Sequence, residues 1–321
     1  HIGFGHDYGR LCILIQWKPR GRYGKLQNRT CADILILKTS MDSERDQLIR
    51  SLAKQCCDSD GVECRWYHSN WELLTSLGMV TTSAVHARQL ERLLASATKA
   101  SKDRVSVLIS GSTDDALLKM ASSSFKRLDI DGDFFAIDLC STPLELMRLH
   151  AENYHLNFKS ARTNILSYSP ETQFDIILAH AFMGNFDEQQ RSELLLKWAS
   201  LLNPGGSIVT IQRVRPADSP PIVQFTPEQS ASFISIALDA ALEDENFTDS
   251  DLVFVEQAAR LFTERFMSYS IRSKQTLEEL FFGAGLKFRL LEYQKMEAMQ
   301  HLAGPSVPSG GEYAFIVAEV D

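Results

Sequence analysis

No apolar run in this sequence approaches the roughly 20 residues that a membrane-spanning helix needs, and residues 11–16 are too few for a signal-peptide core. Basic residues are also in deficit, because 33 Lys and Arg stand against 41 Asp and Glu, a formal net charge of −8. Proteins whose main task is binding nucleic acid carry a basic surface. We therefore expect a soluble, cytoplasmic protein with neither a membrane nor a nucleic-acid partner.

Cysteine is scarce, with six residues in the chain: Cys12, Cys31, Cys56, Cys57, Cys64 and Cys140. They show no paired CxxC spacing and no histidine-linked metal pattern, so the sequence predicts scattered, reduced thiols and no metal site. The sequence also lacks an HxxxH pair, a GxSxG turn and a cysteine beside a plausible base. These absences argue against a zinc peptidase, a serine hydrolase and a cysteine-nucleophile enzyme.

The stretch from residue 104 to residue 138 has the pattern of one βαβ unit. Residues 104–110 form a short apolar run rich in β-branched side chains, as in a parallel strand buried on both faces. Gly111 breaks the run, a helical pattern follows, and a second strand ends at Asp138. A small-residue turn after one strand and an acid at the end of the next favour binding of an adenosine-containing cofactor.

The charge of this turn discriminates between cofactors. A dinucleotide places its pyrophosphate on the helix N-terminus and needs several glycines there, whereas this turn has one glycine, Gly111. Asp114 and Asp115 suit the helix dipole but would repel a phosphate. S-Adenosylmethionine has no phosphate and carries a cationic sulfonium and amino group. The turn therefore favours that cofactor over NAD or FAD.

Asp138 could cap the following helix or hold a ribose. We assign the cap to Thr142, because Pro143 and Glu145 complete the first turn and the capping box after it. That assignment leaves the carboxylate of Asp138 to accept hydrogen bonds from two ribose hydroxyls.

Strands alternate with helices through the middle of the chain, which predicts a mostly parallel sheet. The further strands of this part are expected at residues 160–166, 174–180 and 207–212. Helical patterns at residues 227–242 and 250–269 then form an insertion after strand 5, too long for a bare loop. Two final strands, 287–295 and 312–320, have no helix between them and are expected to pair antiparallel. The predicted fold is α/β: a doubly wound, mostly parallel seven-stranded sheet with an antiparallel last strand, N-terminal helices and this insertion.

The predicted organisation has four parts: an uncertain N-terminal extension (1–40), an N-terminal helical cap (41–100), the core (101–218 and 273–321) and the helical insertion (219–272). Met41 is the first methionine, and we expect it to be the true start; the alternative is that residues 1–40 add an edge hairpin. The insertion is also a candidate surface for forming a homo-oligomer.

Aromatic residues concentrate just ahead of the cofactor unit. Spacings of three and four make the neighbouring leucines a core-facing stripe, and single aromatics there more often pack than bind. Their density nevertheless predicts a lid over an acceptor pocket, because excluding water favours group transfer. The predicted lid and pocket residues are Trp66, Tyr67, His68, Trp71 and Phe182, with His180 at the end of strand 4. A hydrophobic anchor for the N-terminal helices is the alternative, above all for Trp66.

Outside the insertion, residues 101–321 resemble the class I S-adenosylmethionine-dependent methyltransferases. The matching motifs are Ser110-Gly111-Ser112 after strand 1, Asp138-Leu139 after strand 2, Asn164-Ile165 after strand 3, the strand at 174–178, and the Pro-Gly-Gly turn at 204–206. The usual Gly-x-Gly turn is Ser-Gly-Ser in this sequence. The resemblance implies that these positions cradle the methionine part, hold the ribose and flank the adenine, with His180 at the same crevice.

We therefore expect a methyltransferase that moves a methyl group from S-adenosylmethionine to a small-molecule O, N or S nucleophile by in-line displacement. Orientation and exclusion of water would supply most of the catalysis, with His180 as the candidate general base. A protein acceptor and a non-catalytic scaffold that retains the fold are the alternatives.

Overall fold

The computed structural model describes residues 44–60, 63–80, 83–98, 103–295 and 311–320. The predicted N-terminal extension, and with it the question of whether Met41 starts the protein, lies outside these residues.

Helices and strands alternate through most of the described chain. The helices are α1 (Glu44–Asp60), α2 (Arg65–Ser76), α3 (Ala87–Ala97), α4 (Ala116–Arg127), α5 (Ser141–Asn153), α6 (Glu188–Leu201), α7 (Pro227–Leu242), α8 (Asp249–Arg265) and α9 (Lys274–Gly283). The strands are β1 (Arg104–Ser110), β2 (Asp131–Asp138), β3 (Asn157–Arg162), β4 (Phe174–His180), β5 (Leu202–Val214), β6 (Ile222–Val223), β7 (Ser268–Tyr269), β8 (Lys287–Lys295) and β9 (Glu312–Glu319). None of the described helices is long and apolar enough to cross a membrane.

Seven of these strands form one sheet in the order β3-β2-β1-β4-β5-β9-β8. Strands β1 to β5 pair in parallel, and β9 runs antiparallel to both of its neighbours, β5 and β8. The predicted fold class is therefore confirmed. The strand order reverses between β1 and β4, and ligands of such sheets bind in the crevice outside the carboxyl ends of the strands at that point.

The sequence predicted the bounds of two buried strands correctly, but not those of the edge strand β3. Strands β1 and β4 have the predicted bounds, and each is largely buried. Strand β3 begins three residues before the predicted 160–166 and ends at Arg162, because its exposed edge position gives it no apolar pattern. The Pro-Gly-Gly turn lies within β5, whose pairing with β4 shifts register between Phe174 and Ile176.

The helices begin where capping side chains are available. Asp187 and Gln190 form a capping box at the start of α6, at 2.9 and 3.2 Å. Thr226 and Gln229 form the same motif ahead of α7, with Pro227 in its first turn. Both boxes satisfy amide groups that a helix N-terminus leaves without an intrahelical partner.

Apolar side chains bury both faces of the sheet. A further cluster of apolar side chains joins the N-terminal helical cap to the insertion. Short strands β6 and β7 pair antiparallel at the base of the insertion. Residues of α2, including Leu73, Leu74 and Leu77, pack in this cluster with Phe233 of α7 and Phe262 of α8. Helix α2 and the insertion therefore share one hydrophobic core.

Candidate cofactor and acceptor site

The turn after β1 passes through a left-handed residue that lies beneath an aromatic ring. Gly111 has φ of +73°, a conformation that costs other residues about 1–2 kcal/mol. The ring of Phe182 lies directly over it, so that a Cβ added at Gly111 would overlap the ring. Phe182 also stacks on Trp198, with ring centroids 6.3 Å apart. The missing side chain of Gly111 therefore makes room for the Phe182 ring of the protein itself.

The two serines of this turn already make internal hydrogen bonds. Ser110 is fully buried, and its hydroxyl accepts from Trp198 Nε1 at 3.0 Å. The Ser112 hydroxyl donates to the Asp114 carbonyl oxygen at 2.8 Å, and its amide donates to Asp138 Oδ2 at 3.1 Å. These bonds hold the turn in one conformation beside the end of β2.

Asp138 is half-buried at the end of β2 and accepts two backbone hydrogen bonds. Its Oδ2 accepts from the Ser112 amide, and its Oδ1 accepts from the Cys140 amide at 2.9 Å. Burial raises the pKa of Asp138 to about 6, and the hydrogen bonds from these two amides oppose that rise. A carboxylate has roughly four lone-pair positions, so two remain for a ligand.

The predicted N-cap of α5, Thr142, is wrong. Cys140, not Thr142, is the N-cap of α5, and its sulfur accepts from the Thr142 amide at 3.4 Å. Thr142 is fully buried in the first turn of the helix, with its hydroxyl 3.4 Å from Cys57 Sγ. A helical first turn places Thr142 inward, where sulfur atoms rather than an exposed backbone amide are its neighbours.

Asp114 and Asp115 face the N-terminal helices. Trp71 Nε1 donates to Asp114 Oδ2 at 3.1 Å, and the Ala116 amide donates to its Oδ1 at 2.8 Å. Arg45 of α1 and Lys119 pair with Asp115, each at 2.9 Å.

The ion pairs change the electrostatics of this turn. Burial of Asp115 is outweighed by Arg45 and Lys119, so the pKa of its carboxyl is lowered. Burial raises the pKa of Asp114, as does the charge of Asp115. The negative charge that would repel a phosphate at this turn is therefore largely neutralised at Asp115.

The predicted lid residues of α2 contact three different parts of the molecule: the turn after β1, helix α8 and a group of cysteines near the end of β2. Tyr67 Oη lies 2.6 Å from Thr113 Oγ1, so it joins Trp71 in contacting the turn after β1. Trp66 packs against Phe262 of α8, with ring centroids 6.3 Å apart, as the anchor alternative describes. His68 is buried and lies in neither place.

His68 belongs instead to a cluster with Cys57, Cys64 and Cys140. Candidate ligand atoms of the four side chains all lie within 4.8 Å of one another. The prediction that these cysteines are scattered is therefore wrong. Helices α1 and α2 bring three of the residues to the end of β2, which no local spacing could reveal.

His180 ends β4 and contacts His86 instead of His68. His86 Nδ1 lies 3.0 Å from His180 Nε2, within hydrogen-bond distance. Burial lowers the pKa of His86 to about 4, and burial with the charge of His86 lowers that of His180 to about 3. Both rings are thus neutral near pH 7, and one donates to the other.

Two arginines lie at the carboxyl end of β5 and just after it. Among the described residues, Arg213 Nε and Arg215 Nη2 are buried atoms without a hydrogen-bond partner. Burial lowers the pKa of both, and Arg213 also lowers that of Arg215. Arg213 is paired in register with Tyr313, whose ring packs edge-on against His86 at 4.5 Å. The arginines therefore adjoin the histidine pair at the carboxyl edge of the sheet.

The remaining predicted cofactor residues lie around the end of β3 and the start of α5. Asn164 Oδ1 accepts from the Leu166 amide at 3.0 Å and caps a short 3-10 turn. Ile165 is buried, and Leu139 is half-buried beside Asp138.

The sequence interpretation missed His86 as the partner of His180, as well as Arg213, Arg215 and Cys140. A signal for the arginines was present, since residues two apart on a strand share one face. The spacing of Cys57, Cys64 and His68 was also visible, but its fourth member follows a distant strand.

Comparison with known proteins yields structural similarity alone. A scan against protein-family models finds no match, and no curated protein matches the chain. A geranyl diphosphate methyltransferase solved with S-adenosylmethionine is 10% identical, covering 79% of this chain and 91% of that chain, with a TM-score of 0.48. The N-methyltransferase NodS from Bradyrhizobium japonicum WM9, solved with S-adenosylhomocysteine, is 12% identical, covering 74% and 86%, with a TM-score of 0.45.

The fold can be assigned from the strand order itself. Five parallel strands are followed by an antiparallel strand, β9, inserted between β5 and β8. This chain has the sheet architecture of the class I S-adenosylmethionine-dependent methyltransferase fold.

Proposed function

We propose that the chain is an S-adenosylmethionine-dependent methyltransferase whose acceptor is a small molecule carrying an anionic group. The cofactor part of the proposal is carried by Asp138. Its half-buried carboxylate lies at the end of β2, beside the turn after β1, with two acceptor positions left after the Ser112 and Cys140 amides. Two vicinal ribose hydroxyls would match those positions, and their donation would offset the burial of the charge.

The acceptor part rests on Arg213 and Arg215. Buried guanidinium nitrogen atoms without partners among the described residues favour an anion, because an unpaired buried charge is costly. A carboxylate or phosphate on the acceptor could bind there bidentately. That position adjoins the pair formed by His86 and His180, at the edge where strands β4 and β5 end.

The arrangement favours catalysis by orientation. When bound, S-adenosylmethionine supplies an activated methyl group, so the protein has to hold an acceptor in line and keep water out. His180, with its pKa lowered to about 3 and its Nε2 beside His86, would be a weak general base near neutral pH. We assign it to positioning the acceptor and leave His68 out of the pocket.

Binding of the cofactor is tested by calorimetry with S-adenosylmethionine and S-adenosylhomocysteine. Asp138→Asn should weaken both by about 10- to 150-fold, the loss of charge-assisted hydrogen bonds worth about 1.5–3 kcal/mol. Asp133→Asn is the matched control, because Asp133 lies on the same strand but pairs with Arg104 at the surface. Equal affinities for wild type and both variants would exclude Asp138 as the ribose residue.

Turnover is tested by incubating the protein with labelled donor and a metabolite extract. Labelled product should appear and be retained on an anion-exchange resin. Arg215→Met should lose that product with its cofactor affinity retained, whereas Arg289→Met, in an exposed pair with Glu319, should keep it. A labelled product that is not anionic would contradict the arginine assignment.

A scaffold that binds the cofactor without transferring a methyl group is the second candidate. It is favoured by two observations: Phe182 covers Gly111, and the Ser110 hydroxyl is already bonded to Trp198. Tight binding of S-adenosylmethionine with no labelled product from any extract fraction would support the scaffold and exclude the enzyme.

A further inference from the structure

Four side chains with metal-binding atoms meet where the N-terminal helices join the sheet. They are Cys57 near the end of α1, Cys64 just before α2, His68 in α2, and Cys140 just before α5. All four are at most 2% exposed. Three ligands thus come from the helical cap and one from the core.

We propose that these four residues bind one zinc ion and that the ion fastens the helical cap to the end of β2. Three thiolates and one imidazole form a complete tetrahedral donor set of the kind that structural zinc sites use. Because all four positions would be filled by protein, the ion would have no open position for a substrate.

The distances fit a tetrahedral site. Zinc ligands at about 2.0–2.3 Å from the ion lie about 3.5–3.8 Å from one another. Cys57 Sγ and Cys140 Sγ are 3.5 Å apart, and all the candidate ligand atoms lie within 4.8 Å of one another. A contraction of about 1 Å would close the shell around an ion.

His68 points to a metal independently of the cysteines. Its Nε2 is buried and has no hydrogen-bond partner among the described residues. A buried nitrogen in that state costs about 1–3 kcal/mol, which a coordinate bond would remove. If the thiols served only to fill the core, this nitrogen would remain buried without a partner.

A disulfide is the main chemical alternative. Cys57 and Cys140 are close enough to be candidates, but a bond between them would use two of the four side chains. It would leave Cys64 and His68 buried beside it without a role. The donor set of sulfur with one nitrogen therefore favours zinc over a redox pair.

The proposed zinc site is connected to Asp138 through Cys140. Cys140 donates its amide to Asp138 Oδ1 at 2.9 Å, so an ion that holds Cys140 would hold a backbone partner of that acid. The zinc proposal does not depend on the proposed methyltransferase function, because its tests measure the metal itself.

The test uses the full chain purified without chelator, with metal content measured by elemental analysis. We expect about one zinc ion per chain, lost in Cys64→Ser, in Cys140→Ser and in His68→Ala. Cys56→Ser is the matched control, since Cys56 precedes Cys57 on the same helix but is outside the cluster, and it should keep its zinc. Zinc at wild-type levels in the Cys140→Ser protein would overturn the proposal.

A second measurement covers variants that fail to fold. Wild-type protein reconstituted with Co²⁺ should show sulfur-to-cobalt charge-transfer bands and the intense visible bands of a tetrahedral site. Mass spectrometry of the wild type after alkylation should find no disulfide among Cys57, Cys64 and Cys140. A disulfide there, or reconstituted protein without the cobalt bands, would show that the cluster does not bind metal.

Discussion

Trp71 Nε1 donates a 3.1 Å hydrogen bond to Asp114 Oδ2, and this bond connects α2 to the turn that follows β1. Tyr67 supplements it through Thr113, so two of the predicted lid aromatics hold the turn instead of lying free above it. The N-terminal helices therefore help to determine the shape of the candidate cofactor site.

Removing that donor should destabilise the protein. Trp71→Phe keeps an aromatic ring but leaves a buried carboxylate oxygen of Asp114 without its indole partner, and we expect a loss of about 1–3 kcal/mol in the free energy of unfolding. Urea denaturation measures it. Trp66→Phe is the comparison, because Trp66 Nε1 donates to a partly buried backbone carbonyl at Glu63. A smaller loss for Trp71→Phe than for Trp66→Phe would contradict this account.

The ion pair between Arg45 and Asp115 should matter more than a surface pair of similar geometry. Arg45→Met leaves a buried carboxylate with Lys119 alone, and we expect it to cost about 2–4 kcal/mol. Arg92→Met breaks a bidentate but exposed pair with Glu292 and should cost less than about 1 kcal/mol. Thermal and urea unfolding of the two variants should rank them in this order, and equal costs would argue against a buried role for Arg45.

Stability should fall as the pH drops from about 6.5 toward 4. The native pKa of His86 is lowered to about 4 and that of His180 to about 3, so below pH 6.5 the unfolded chain takes up protons that the native protein does not. Each histidine then contributes up to about 1.4 kcal/mol of lost stability per pH unit.

Urea midpoints at pH 5 and pH 7 measure this dependence. His86→Gln should flatten it, whereas His155→Asn, at an exposed position, should leave the slope unchanged. A wild-type slope that His86→Gln does not alter would contradict the neutral histidine pair.

Gly111 and Phe182 should be coupled in a double-mutant cycle. Gly111→Ala adds about 1–2 kcal/mol of left-handed backbone strain and also an overlap with the Phe182 ring that costs about 1–3 kcal/mol. In a Phe182→Ala background only the backbone strain should remain. Urea denaturation of the four proteins gives the coupling energy, and a value near zero would mean that the ring does not lie over Gly111 in solution.

Much of the architecture could be predicted from the sequence by itself. The apolar runs ending at Ser110 and His180 predicted β1 and β4 with the bounds that the structure shows. The missing helix between the last two strands predicted their antiparallel pairing. These features depend on burial periodicity and on side chains that bond to the nearby backbone, so a local window of sequence contains them.

The tertiary structure alone decided how the candidate site is assembled. It placed His68 with Cys140, His180 with His86, and Asp115 with Arg45, although each pair is far apart in sequence. Local periodicity indicates which face of an element is buried but not which element covers that face. The packing of the N-terminal helices against both the sheet and the insertion determines those partners, because it depends on contacts across the whole chain.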